Sequence, residues 1–149
     1  MKKLLTEWRK FLAEGEVKYS GILKVKPTNI IISELEAFQA ILPEEAVRLP
    51  EKALHVTLVH QSILKPFRKQ IKDMEFPTPP PIRLEDEIWI RQSPGKTSWA
   101  VRLENQDEMR DYVGQVMEIL GSPNTDPEPE RVFHISLANL TGEVRDSVR

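Results

Sequence analysis

Cysteine is absent from the 149 residues. That excludes disulfides, thiolate metal sites and cysteine nucleophiles, and it fits a reducing, cytoplasmic setting. No apolar run approaches the length of about 20 residues needed to cross a bilayer, so no membrane span is expected. A cleavable leader is not expected either. The segment from Met1 to Glu14 is basic and amphipathic but has neither a continuous apolar stretch nor a small-residue cleavage site, and it reads as a helix over 2–14. A large excess of positive charge is also missing. The net charge of −2 argues against tight, sequence-independent binding of long DNA or RNA, whereas a small nucleotide needs only a local cationic groove. What is present is an ordinary globular composition, 40% apolar and 30% charged, on a chain sized for one domain over 1–149.

Leu4, Leu5, Trp8, Phe11 and Leu12 recur at helical spacing, and Gly15 closes that first helix. A strand is predicted over Tyr19–Val25. Ile32, Leu35, Phe38 and Ile41 or Leu42 mark a second helix, stopped by Pro43. The short β-branched run Leu54–Val59 reads as a strand, and Ile63–Met74 as a basic amphipathic segment. Pro77–Pro81 can be neither helix nor central strand, and it divides the chain into halves of about 16–76 and 82–140. Beyond it, Ile82–Arg91 and Thr97–Leu103 read as a hairpin about Ser93-Pro94-Gly95-Lys96. A helix over Gln106–Leu120, a polar loop over Ser122–Glu130 and a last strand over Val132–Leu137 follow. The fold class is therefore α+β, a duplicated strand and helix unit rather than a long doubly wound sheet.

Both halves end on the same pattern. Leu54-His55-Val56-Thr57-Leu58 and Phe133-His134-Ile135-Ser136-Leu137 each run apolar, histidine, aliphatic, hydroxyl, leucine. Side chains alternate along a strand, so His55 and Thr57 share one face, as do His134 and Ser136, while the aliphatic residues face the helices. Two histidines on opposite sides of one phosphate suit in-line cleavage of a phosphodiester. Each titrates near neutral pH, so one can take a proton from the attacking oxygen while the other gives one to the leaving oxygen. A hydroxyl two residues on can steady the nonbridging oxygens. Two such motifs drawn from only three histidines form a specific pattern; a lone H-x-[ST] triplet is not one. The third, His60, lies an odd number of positions from His55 and reads as structural or superficial. Two histidines without a third ligand fall short of a metal site, so no metal and no cofactor are expected.

Along Ile82–Arg91 the apolar face is Leu84, Ile88 and Ile90, and the other face is Glu85, Glu87, Trp89 and Arg91. A tryptophan among charges is either a surface for stacking a base or an ordinary half-exposed residue; both readings stand for Trp89. Trp99 alternates with Val101 and Leu103 as core. Lys24 could offer charge to a phosphate or be merely solvated. Lys65, Arg68, Lys69 and Lys72 read as the outer face of a helix.

On its paired motifs and duplicated layout, the sequence resembles the two-histidine (2H) phosphoesterase superfamily over nearly its whole length. That resemblance implies a bilobal fold with a central groove and metal-independent catalysis by His55, Thr57, His134 and Ser136. Within the superfamily it is most similar to the small phage anti-CBASS nucleases, through its compactness and the stretch Tyr19-Ser20-Gly21-Ile22-Leu23. The likeness implies a cyclic di- or trinucleotide substrate, cut at 3′–5′ bonds by 2′-hydroxyl attack so that antiviral signalling stops in the host cytoplasm. It also makes Tyr19 a second substrate-binding candidate. Two other functions stay open: an RNA 2′,3′-cyclic phosphodiesterase, and a module that sequesters nucleotides without cutting them.

Overall fold

A computed structural model describes residues 16–148, so the helix expected over 2–14 lies outside the described residues. The architecture is mixed α+β, built on one seven-stranded antiparallel sheet. Strands β1 (Val17–Tyr19) and β2 (Leu23–Val25) form a hairpin, followed by helix α1 (Asn29–Ala40) and the two-residue strand β3 (Val47–Arg48). Strand β4 (Val56–Val59) leads into short helices α2 (Gln61–Leu64) and α3 (Arg68–Ile71). After the proline-rich linker come β5 (Leu84–Ser93), β6 (Lys96–Leu103), helix α4 (Gln106–Ile119) and β7 (His134–Asn139).

Two expectations are corrected. The single strand over Tyr19–Val25 is a hairpin, because Gly21 turns the chain at φ +89°, a conformation an L side chain resists, and Tyr19 pairs with Leu23. The basic segment 63–74 is not one helix. Pro66 lacks the N–H that a continuous helix needs, and a 3₁₀ turn over Lys65–Phe67 separates α2 from α3.

The first correction gives both halves a hairpin followed by a helix. Each half now reads hairpin, helix, strand, and the sheet order β1-β2-β4-β7-β6-β5 places the two histidine strands side by side at the centre. Helix α1 lies against β7 and α4 against β4, so each half's helix supports the other half's central strand. Leu23, Val25, Val56, Leu58, Ile135, Leu137, Val101 and Leu103 fill the core between sheet and helices. Two glutamines lock the layers. Gln39 on α1 donates to the carbonyls of Leu49 (3.1 Å) and Leu137 (3.0 Å). Gln106 donates to those of Leu103 (2.7 Å) and Phe133 (2.8 Å), and its own oxygen accepts from the Phe133 N–H at 2.8 Å.

The seam between the halves is narrow. Val56 pairs with Ile135, and three to four residues further along β7 the chain is flanked instead by β3, with Val47 opposite Asn139 and Arg48 opposite Ala138. Between those contacts the segment 50–54 loops out through a 3₁₀ turn, Glu51–Ala53, that delivers the chain to His55. At the other end, Arg131 bridges the seam by donating from Nη1 to the Thr57 carbonyl at 2.9 Å.

Candidate active site

Antiparallel pairing of Val56 with Ile135 brings His55 alongside Ser136 and Thr57 alongside His134. The two motifs thus face each other head to tail about that pair. The histidines are diagonal neighbours, a relation that places β-carbons about 7–8 Å apart. All four side chains leave the sheet on the face away from the helices and are half-buried.

Both imidazoles are held by the same local device. His55 Nδ1 donates to the Ala53 carbonyl at 2.7 Å, and His134 Nδ1 to the Val132 carbonyl at 2.8 Å, each two residues back. A carbonyl only accepts, so Nδ1 carries the proton and Nε2 is the nitrogen turned outward for chemistry. Burial lowers the pKa of His55, opposed by the Ala53 bond and reinforced by Lys24 and Lys26. Burial likewise lowers that of His134, opposed by the Val132 bond and reinforced by Arg91, His55 and Arg131. Both rings are therefore neutral in the unliganded protein at neutral pH.

The surrounding face is cationic. On one flank Lys24 stands opposite Thr57, and burial, followed by the charges of Lys24 and Lys18, lowers the pKa of Lys26, whose Nζ also donates to the Lys52 carbonyl in the turn that leads to His55. On the other flank Arg102 lies opposite His134 and is paired with Glu85 at 3.0 Å. Arg91 reaches His134 itself, with Nη1 3.2 Å from Nε2, and also donates to the Val148 carbonyl at 3.1 Å.

Trp89 joins this group. Its ring meets His134 edge-on at 5.4 Å between centroids. The guanidiniums of Arg91 and Arg102 lie over the indole at 4.8 and 5.6 Å from its centroid. Trp89 pairs with Ala100, so Arg91 approaches from one side along the sheet and Arg102 from the other. The indole is thus clasped between two cations instead of lying bare.

Tyr19 is not brought to the histidines. With Val17, Leu23 and Val25 it points to the core side of the sheet, because it pairs with Leu23, whose side chain is fully buried. There it lines a half-open cavity of about 540 Å³ with Arg68, Ile71, Lys72, Met74 and Phe76, on the face opposite His55 and His134. His60 is exposed and pairs with Glu128 at 2.7 Å, as its parity suggested. Trp99 is buried. Among the described residues no group of three His, Cys, Asp or Glu is placed to hold a metal ion.

Sequence reasoning missed Arg131 and Arg102 and treated Arg91 only as part of a strand face. Arg131 stacks on Phe133 at 4.4 Å and lies 3.9 Å from Asp126, whose side chain is almost wholly buried and is also approached by Arg110 at 3.8 Å. Alternation does mark Arg91 and Arg102 as lying on a polar face, but it cannot say which strand lies beside which. Comparison with protein-family models, curated proteins and solved structures finds no match to this chain.

Proposed function

We propose that the protein is a metal-independent two-histidine phosphodiesterase that opens cyclic di- or trinucleotides, with the strands of each half forming one lobe and the motif face forming the groove between them. The observation that carries this reading is the head-to-tail pair of motifs at the centre of the sheet, each with its Nδ1–H tied to a carbonyl two residues back. Binding alone needs no pair of titratable groups held in matched tautomers; acid–base chemistry does.

In this mechanism a neutral Nε2 removes the proton of a ribose 2′-hydroxyl. The 2′-oxygen attacks phosphorus, the bond to the 5′-oxygen breaks, and the second histidine, protonated, gives its proton to that leaving oxygen. The products are a 2′,3′-cyclic phosphate and a 5′-hydroxyl. Thr57 and Ser136 lie where they can hold nonbridging oxygens, and the lysine and arginine flanks supply charge to the phosphates. A bound phosphate among these cations favours protonation of one imidazole, which supplies the acid that the unliganded site lacks.

Chromatography of cyclic di- and trinucleotides, beside an RNA bearing a 2′,3′-cyclic end, tests the reading in the presence of chelator. Ring opening to a 2′,3′-cyclic or 3′-phosphate product is expected. Turnover of the RNA end alone would move the site to RNA processing, and no turnover of either would make it a sequestering module. Activity lost in chelator and restored by added metal would overturn the metal-free mechanism.

A further inference from the structure

His134 differs from His55 in one respect that matters for a base. Its outward nitrogen is already occupied. An arginine N–H can only donate, so Arg91 Nη1 at 3.2 Å uses the Nε2 lone pair that would accept a proton from a nucleophile. Among the described residues no guanidinium stands at His55, whose charged neighbours are Lys24 and Lys26. Arg91 is held in this place by the Val148 carbonyl at 3.1 Å and by Trp89 beneath it.

We propose that Arg91 is an anion latch: it caps His134 in the resting site and releases it when a substrate phosphate takes the guanidinium. The proposal rests on the reading of His134 as an acid–base group and adds how that group is regulated. Its driving force is a difference in bond strength. A guanidinium facing a phosphate makes charge-assisted hydrogen bonds, often forked, that are stronger than its single contact with a neutral imidazole. The contact with His134 is therefore kept only while no anion competes, and the base is uncovered as the substrate arrives.

Every charged group that faces His134 points the same way. Arg91 comes from β5, Arg102 from β6 and Arg131 from the approach to β7, with His55, once protonated, at the entry to β4; Arg102 is paired with Glu85 and Arg131 lies 3.9 Å from Asp126. Removing Arg91 from Nε2 and placing a phosphate among the rest both raise the proton affinity of His134.

The test is an imidazole nitrogen NMR titration of the full chain, with inorganic phosphate as the probe, in wild type, Arg91→Gln and Arg91→Lys. Without phosphate, His134 is expected to titrate at lower pH in wild type than in Arg91→Gln, and saturating phosphate is expected to raise the wild-type midpoint. Phosphate affinity should fall about tenfold in Arg91→Gln and stay nearer wild type in Arg91→Lys, which keeps the charge. The His55 midpoint is an internal control for folding, since a disrupted sheet moves both rings. An unchanged His134 midpoint in Arg91→Gln, or unchanged phosphate affinity, would overturn the latch. These readouts need no turnover. An intact titration without phosphodiester cleavage would retire the phosphodiesterase reading and leave the latch, and cleavage with a flat titration would do the reverse.

Discussion

At the scale of single residues, the proposed function rests on two imidazoles whose tautomers are set by their own backbones. Replacing either His55 or His134 by alanine is expected to lower kcat/KM by about 10²–10⁴-fold, while nucleotide affinity changes only a few-fold. Full activity in either variant would remove the mechanism. The pH dependence follows from burial, which lowers both histidines. The base loses activity below its own pKa and the acid above its own, so kcat/KM for the free enzyme should be bell-shaped. Its maximum should lie on the acid side of the ordinary imidazole value of about 6.5. The kcat profile should sit at higher pH, because the bound phosphate holds protons on the pair. A kcat/KM optimum well above 7 would contradict neutral resting histidines. Trp89 is separable from these: alanine there should raise KM more than it lowers kcat, with phenylalanine recovering most of the loss because it restores a face for Arg91 and Arg102. His55, Thr57, His134 and Ser136 were readable from the sequence because strand alternation is a local rule. Tyr19 was a candidate through the resemblance alone, and its pairing with the buried Leu23 places it on the core side of the sheet, away from the histidines.

The next scale is the element, where the question is what keeps the two strands in register. Gln106 sits at the first turn of α4, yet its side chain acts like a ladder residue of the sheet, taking both backbone groups of Phe133 and hence fixing the residue next to His134. Gln106→Leu would leave the Phe133 N–H and the Leu103 carbonyl without the partners Gln106 supplies in a part-buried setting, while the Phe133 carbonyl keeps its bond from the Leu103 N–H. It is expected to cost about 1–3 kcal/mol, measured by chemical denaturation. It should also lower kcat in the fraction that remains folded, because His134 loses its anchor. A fall in stability with kcat intact would show that Gln106 supports the fold alone. Helices α1 and α4 and the β5–β6 hairpin were legible within a few residues, since each has a periodic apolar face and clear stops at Pro43, Gly121 and Pro94-Gly95. Strand β3 and the turn over Glu51–Ala53 were not. Two exposed residues, Val47 and Arg48, carry no apolar alternation, and they form a strand only because β7 offers an edge where β4 has turned away.

For the molecule as a whole, two hairpin–helix–strand units meet at one narrow seam, and a chain of net charge −2 gathers lysines on one flank of the motif face and arginines on the other. Composition hides that arrangement, because a net charge says nothing of where the charges sit. Only the sheet order reveals it. The same arrangement costs stability at acid pH. In the unfolded chain both histidines titrate near 6.5, whereas burial and neighbouring cations lower them in the folded one. Between the folded midpoints and 6.5 the unfolded chain binds more protons, so stability must rise with pH through that window. It is fully present above about 6.5 and is lost as pH falls toward the folded midpoints. Denaturation at about pH 7.5 and about pH 5.5 should show that loss in wild type, and a smaller one when both histidines are replaced by glutamine. Saturating phosphate should diminish the wild-type loss, since an anion lets the folded site keep the protons it otherwise refuses. Equal losses in wild type and in the double variant would mean that the histidines are not held neutral by the fold, and the acid-shifted activity profile would fall with them.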